Sequence, residues 1–114
     1  MIHNELILPQ IRVYLHYEGE FMRCSVDITE DAASDLTKVP VHIASKLEYW
    51  VNAVEKYGIE AVRKVRGYHD EPLKGDRKGQ RSIRLNKAYR AIYIETKKCE
   101  VRLILIIEVN KHDY

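Results

Sequence analysis

The run Val101 to Val109 (VRLILIIEV) is apolar on both alternating sets: Leu103, Leu105 and Ile107 fall on one side of an extended chain, Ile104 and Ile106 on the other. A strand of that kind belongs at the centre of a sheet with material on both faces. The stretch from Leu103 to Ile107 is far too short to span a bilayer. The rest of the chain therefore has to supply the neighbouring strands and a covering layer.

Upstream, the hydrophobic period identifies those parts. Residues 11–17 (IRVYLHY) and 21–28 (FMRCSVDI) read as two strands around a turn at Glu18, Gly19 and Glu20. Thr29 or Asp31 is placed to cap a first short helix, Ala32 to Thr37, and Pro40 suits the first turn of a second. There Ile43, Leu47, Trp50, Val51 and Val54 recur at helical spacing until Gly58 stops the helix. Ile59 to Val65 reads as one more short helix closed by Gly67, and Tyr68 to Gly79 as a polar loop. The period then changes to two: in Arg81 to Asn86, Ile83 and Leu85 alternate with Ser82 and Arg84, so Arg84 points away from the core. Asn86 and Lys87 connect to a strand over Tyr89–Glu95, and Thr96 to Cys99 connect to the apolar run. The expected architecture is α+β, with N-terminal helices on one face of a twisted antiparallel sheet.

Composition matters chiefly through charge. The formal net charge is +2, but residues 1–62 hold five Lys/Arg against ten Asp/Glu, while residues 63–90 hold ten against three. The basic set interleaves with strand formers rather than forming a tail, which suits a face built for a polyanion. Cys24 and Cys99 stand apart with no metal-type spacing and read as two reduced thiols. The first ten residues lack the pattern of a secretion signal, so a cytoplasmic location is expected.

No zinc-type spacing joins His3, His16, His42, His69 and His112, and there is no nucleophile triad order or Walker loop. What stands out is a constellation: Lys74, Arg77 and Lys78 from the loop, Arg84 from one strand, Arg90 from the next. His112, Asp113 and Tyr114 follow the apolar run. Metal-free RNA cleavage needs a base for the 2′-OH, cations for the phosphorane and an acid for the leaving 5′-oxygen. Arginines suit the second task, and lysine, histidine or tyrosine the proton transfers. Taken singly, each of these residues fits an ordinary surface role as well, with Glu95 or Glu108 as ion-pair partners for strand arginines.

Residues 71–86 (EPLKGDRKGQRSIRLN), residues 88–93 (AYRAIY) and the ending 108–114 (EVNKHDY) together resemble HigB-type toxins of the RelE/ParE superfamily. The shared pattern is a PLKG loop, a basic stretch, a strand reading S-I-R, a strand opening with Y-R and a closing D-Y pair. The resemblance spans residues 21–114 and leaves 1–20 as an N-terminal extension. It implies a RelE-like fold and a metal-independent endoribonuclease that cuts mRNA on the ribosome, leaving a 2′,3′-cyclic phosphate. It also implies a HigA-like antitoxin partner and no cofactor. Carried over by position, Arg90, Arg84, Lys74, Tyr114 and His112 are the expected catalytic set. Arg77, Lys78, Arg81, Asp113 and His69 are the expected RNA-binding set. Glu71 stands where related proteins can carry histidine just before PLKG, and His69 lies two residues upstream. Two rival functions are a ParE-like inhibitor of DNA gyrase and a nucleic-acid-binding domain without activity.

Overall fold

The computed structural model describes residues 23–98 and 101–111. A first strand, β1 (Arg23–Ile28), leads into helices α1 (Glu30–Leu36), α2 (Val41–Tyr57) and α3 (Ile59–Arg63). A 3-10 turn (Arg66–Tyr68), the two-residue strand β2 (Glu71–Pro72) and a second 3-10 turn (Gly75–Arg77) follow. Strands β3 (Gln80–Arg84), β4 (Tyr89–Lys98) and β5 (Val101–Lys111) complete the sheet. The strand order is β1-β5-β4-β3-β2.

Local chemistry accounts for the helix boundaries. Thr29 Oγ1 accepts from the Ala32 N–H at 3.1 Å, and Glu30 and Asp31 sit in the first turn of α1, where the helix dipole favours acids. Gly58 ends α2 and starts α3 with φ +90°, a backbone conformation that a side chain would strain. The expected stripe of α2 is buried throughout: Ile43, Leu47, Trp50, Val51 and Val54. It meets Val26, Ile83, Leu85, Ala91, Tyr93, Ile104, Ile106 and Val109 from the sheet in one core. Asp35 ties α1 to β5 by accepting from the Val109 N–H at 3.0 Å.

The sheet departs from the sequence expectation in three ways. First, β1 pairs with β5 in parallel, Val26 opposite Ile104, so the sheet is only mostly antiparallel. The three helices serve as the crossover that parallel neighbours need. Second, β4 runs on to Lys98 opposite Val101 instead of turning after Glu95. Third, β5 is central but covered fully on one face only, with Ile104, Ile106 and Val109 buried and Leu103, Leu105 and Ile107 half-buried. The expected strand over 11–17 lies outside the described residues. Cys24 is a buried free thiol, and burial raises its pKa.

A bulge in the β4–β5 ladder decides which residues of β5 share a face. Ile92 pairs with Glu108 but Tyr93 pairs with Ile106, leaving Ile107 as the extra residue. The alternation slips by one there. Ile104 and Ile106 face the helices, as does Val109, so Glu108 and Asn110 lie on the opposite, open face.

Candidate active site

The open face carries three cross-strand rows at the β3–β4 hairpin end. Arg84, Arg90 and Asn110 form one; Glu71, Ser82, Ile92 and Glu108 the next; Gln80, Ile94 and Leu105 the third. The hairpin is closed by Asn86, whose Oδ1 accepts from the N–H groups of Ala88 and Tyr89 at 2.7 and 2.8 Å. That closure fixes Arg84 directly opposite Arg90. Two like charges in that position repel each other, and neither arginine has a carboxylate partner among the described residues. Arg90 Nη1 donates to Ser82 Oγ at 2.9 Å, and Arg84 Nε is buried with no hydrogen-bond partner among the described residues. An anion bridging the pair would relieve both conditions.

The loop between β2 and β3 reaches over the same face. Arg77 donates from Nε to Gln80 Oε1 at 2.7 Å and from Nη2 to Glu108 Oε1 at 2.5 Å, bridging β3 and β5 across β4. Asn110 Nδ2 donates to the other oxygen of Glu108. Ser82 and Ile92 are buried beneath this layer. Lys74 and Lys78 flank Arg77 in the loop and are exposed.

Solved structures share this arrangement of helices and sheet. The chain is similar to YafQ from E. coli strain BL21(DE3), with 17% identity and a TM-score of 0.63 over 79% of this chain and 94% of that one. A chain of the E. coli DinJ–YafQ toxin–antitoxin complex matches with 20% identity and a TM-score of 0.62, covering 81% and 94%. The YoeB/ParE toxin from Agrobacterium tumefaciens matches with 18% identity and a TM-score of 0.56, covering 78% and 99%. The chain shares the α+β fold of these structures. No family model and no curated protein matches the sequence.

Within that fold the expected site residues divide. Arg84 and Arg90 sit side by side, with Arg77 on the same face. Arg81 does not join them: it pairs with Tyr93 on the helix-covered face and donates to Asp70 Oδ1 at 2.5 Å. His69 is exposed in the left-handed region, φ 44°, at the end of the first 3-10 turn. His112, Asp113 and Tyr114 lie outside the described residues. Neither Glu95 nor Glu108 partners Arg84 or Arg90; Glu95 pairs with Arg63 and Arg102, Glu108 with Arg77. Among the residues outside the expected set that this face carries are Glu71, Ser82 and Asn110, along with Gln80 and Glu108, which hold Arg77. Glu71 was visible in the sequence as the residue before PLKG, while Asn110 is brought in only by the bulge.

The helix side of the hairpin holds a second polar cluster. The Asp70 side chain is fully enclosed and accepts from Arg81 and from the Tyr93 hydroxyl at 2.6 Å. Arg63 Nη2 donates to the same hydroxyl at 3.1 Å. Burial and the bond to Asp70 push the Tyr93 phenol well above its ordinary pKa, so it stays a donor. Among the described residues no helix is long and apolar enough to cross a membrane. No group of three or more His, Cys, Asp or Glu among them is placed to hold a metal ion.

Proposed function

We propose that this chain is the toxin of a type II toxin–antitoxin system, a metal-independent endoribonuclease of the HigB type that cuts mRNA on the ribosome. The observation that carries the reading is the Arg84–Arg90 pair, which no carboxylate among the described residues neutralises, with the buried Arg84 Nε–H also without a partner among them. A phosphodiester that becomes a dianionic phosphorane is the ligand such a pair stabilises most, and it does so more in the transition state than in the ground state. The RelE-like fold supports the reading.

In the proposed reaction the 2′-oxygen attacks the adjacent phosphorus, the bond from phosphorus to the 5′-oxygen breaks, and a 2′,3′-cyclic phosphate and a 5′-hydroxyl result. Arg90, aimed by Ser82, and Arg84 hold the non-bridging oxygens, with Lys74 as a further phosphate contact. Glu71 stands in the row beside them, and its carboxylate is assigned the 2′-OH proton. His112 or Tyr114 is assigned the proton for the leaving oxygen. Arg77 meets the RNA by exchanging Glu108 for a phosphate, and Lys78, Asp113 and His69 complete the proposed RNA contacts. Arg81, committed to Asp70, is removed from that set. Residues 21–114 form the toxin unit, acting in the cytoplasm under a HigA-like antitoxin, and no cofactor is required.

Primer-extension mapping of transcripts after brief induction in bacteria tests this, comparing the parent with Arg90→Ala. New ends inside translated codons that vanish in the variant are expected, with cleavage reduced by about a hundredfold or more. Growth arrest with intact transcripts would overturn the nuclease reading and move a ParE-like block of gyrase to first place.

A further inference from the structure

We propose that Asp70 is the positioning residue of this site: anchored on the helix side of the sheet, it turns the adjacent Glu71 carboxylate onto the face that carries Arg84 and Arg90. The inference rests on the reading of Glu71 as the proton acceptor. Strand β2 is only two residues long, and one of them, Pro72, has no N–H to give to a ladder. Beyond it, the Leu73 N–H donates to the Gln80 carbonyl at 2.8 Å. So short a strand cannot fix its own rotation, and a half-turn about its axis would carry Glu71 to the wrong side.

Asp70 removes that freedom. Its Oδ1 takes Arg81 Nε at 2.5 Å, its Oδ2 takes the Tyr93 hydroxyl at 2.6 Å, and Arg81 Nη2 reaches its carbonyl oxygen at 3.4 Å. Arg63 Nε lies 3.9 Å from Oδ2. Both supports are rigid. Tyr93 is fully buried with its ring 5.2 Å from that of Trp50, and Arg81 belongs to β3. Directly paired residues of neighbouring strands share a face, so Glu71, opposite Ser82, lies on the open face while Asp70 just before it is held on the helix side. Ser82 is the residue that aims Arg90. The enclosed carboxylate thus serves a site it never touches.

Single-turnover cleavage of ribosome-bound mRNA by Asp70→Asn, Glu71→Gln and the double variant tests the proposal, with amide exchange measured on the same proteins. Asp70→Asn keeps the size but loses the charge that holds Arg81. It is expected to slow cleavage by about a hundredfold, the scale of a small misplacement. In the Glu71→Gln background it should add little further loss, because both changes remove one function. The Leu73 amide should exchange at least about tenfold faster in Asp70→Asn, while Ile104 and Ile106 keep their protection. Where Asp70→Asn does not fold, Arg81→Gln removes one support and takes its place. An unchanged Leu73 amide, or equal slowing in the parent and in Glu71→Gln, overturns the positioning role. Cleavage by Glu71→Gln at the parent rate overturns the assignment of Glu71 itself, and the accelerated Leu73 amide then tells that failure from the first.

Discussion

Replacing Glu55 by glutamine should make the protein more stable at pH 8 and slightly less stable at pH 4. Glu55 lies on α2 with 6% of its surface exposed, and its Oε2 accepts from the Val26 N–H at 3.0 Å. Its Oε1 has no hydrogen-bond partner among the described residues. Burial pushes the carboxyl from 4.5 up to about 7, only partly opposed by the Val26 bond. In the unfolded chain the group ionises near 4.5, so between there and 7 the folded state holds a proton that the unfolded state has lost. Stability is therefore fully present below pH 4.5 and falls as pH rises through 7. A shift of that size corresponds to about 3 kcal/mol. Glutamine keeps the acceptor for Val26 and never ionises, but its amide N–H groups go unpartnered at a cost of about 1 kcal/mol. The net gain at pH 8 is about 2 kcal/mol, or about 8 °C in Tm for a chain of this length. Urea titrations of both proteins from pH 4 to pH 8 measure it. A stability difference between them that does not change with pH would refute the reasoning.

Thr29→Ala should remove about 1 kcal/mol by uncapping α1, seen as a lower urea midpoint with an unchanged m-value. Tyr93→Phe should destabilise by about 1–3 kcal/mol, because enclosed Asp70 loses a donor; a melting temperature equal to the parent's would contradict the network. Arg84→Gln should leave stability unchanged or raise it by up to about 1 kcal/mol, since it separates two like charges. The same change should reduce the salt slope of RNA binding by about one, and a fall in stability with an unaltered slope would count against an anion site.

Much of the fold was legible because burial writes its period into the chain. The stripe from Ile43 to Val54, the stop at Gly58, the outward Arg84 and the central position of the apolar run all follow from spacing. The parallel pairing of β1 with β5 does not, since it depends on where three helices deliver the chain. The bulge at Ile107 was equally hidden. Strict alternation groups Ile107 and Val109 with Leu103 and Leu105, whereas one extra residue sends Val109 to the core and Glu108 and Asn110 to the site. Arg81 is a different case. The same alternation that turns Arg84 outward turns Arg81 inward, and a count of basic residues concealed it. Glu55 sits one position past Val54 on the buried stripe, where its charge argued for exposure and its neighbours decided otherwise.

The position of β5 has a consequence for synthesis. It follows every other described strand in the chain yet lies between β1 and β4 in the sheet, and it supplies Ile104, Ile106 and Val109 to the core. Until it emerges, β1 has no neighbour among the described strands and α1 lacks its tie through Asp35 to Val109. A nascent chain stopped before residue 101 holds the Arg84–Arg90 hairpin but neither Asn110 nor the centre of its core. The slow, long-range pairing of β1 with β5 thus waits for the synthesis of residues 101–111. Products that stop before β5 should remain unfolded and inert, and the arginine face should assemble only once β5 has been made.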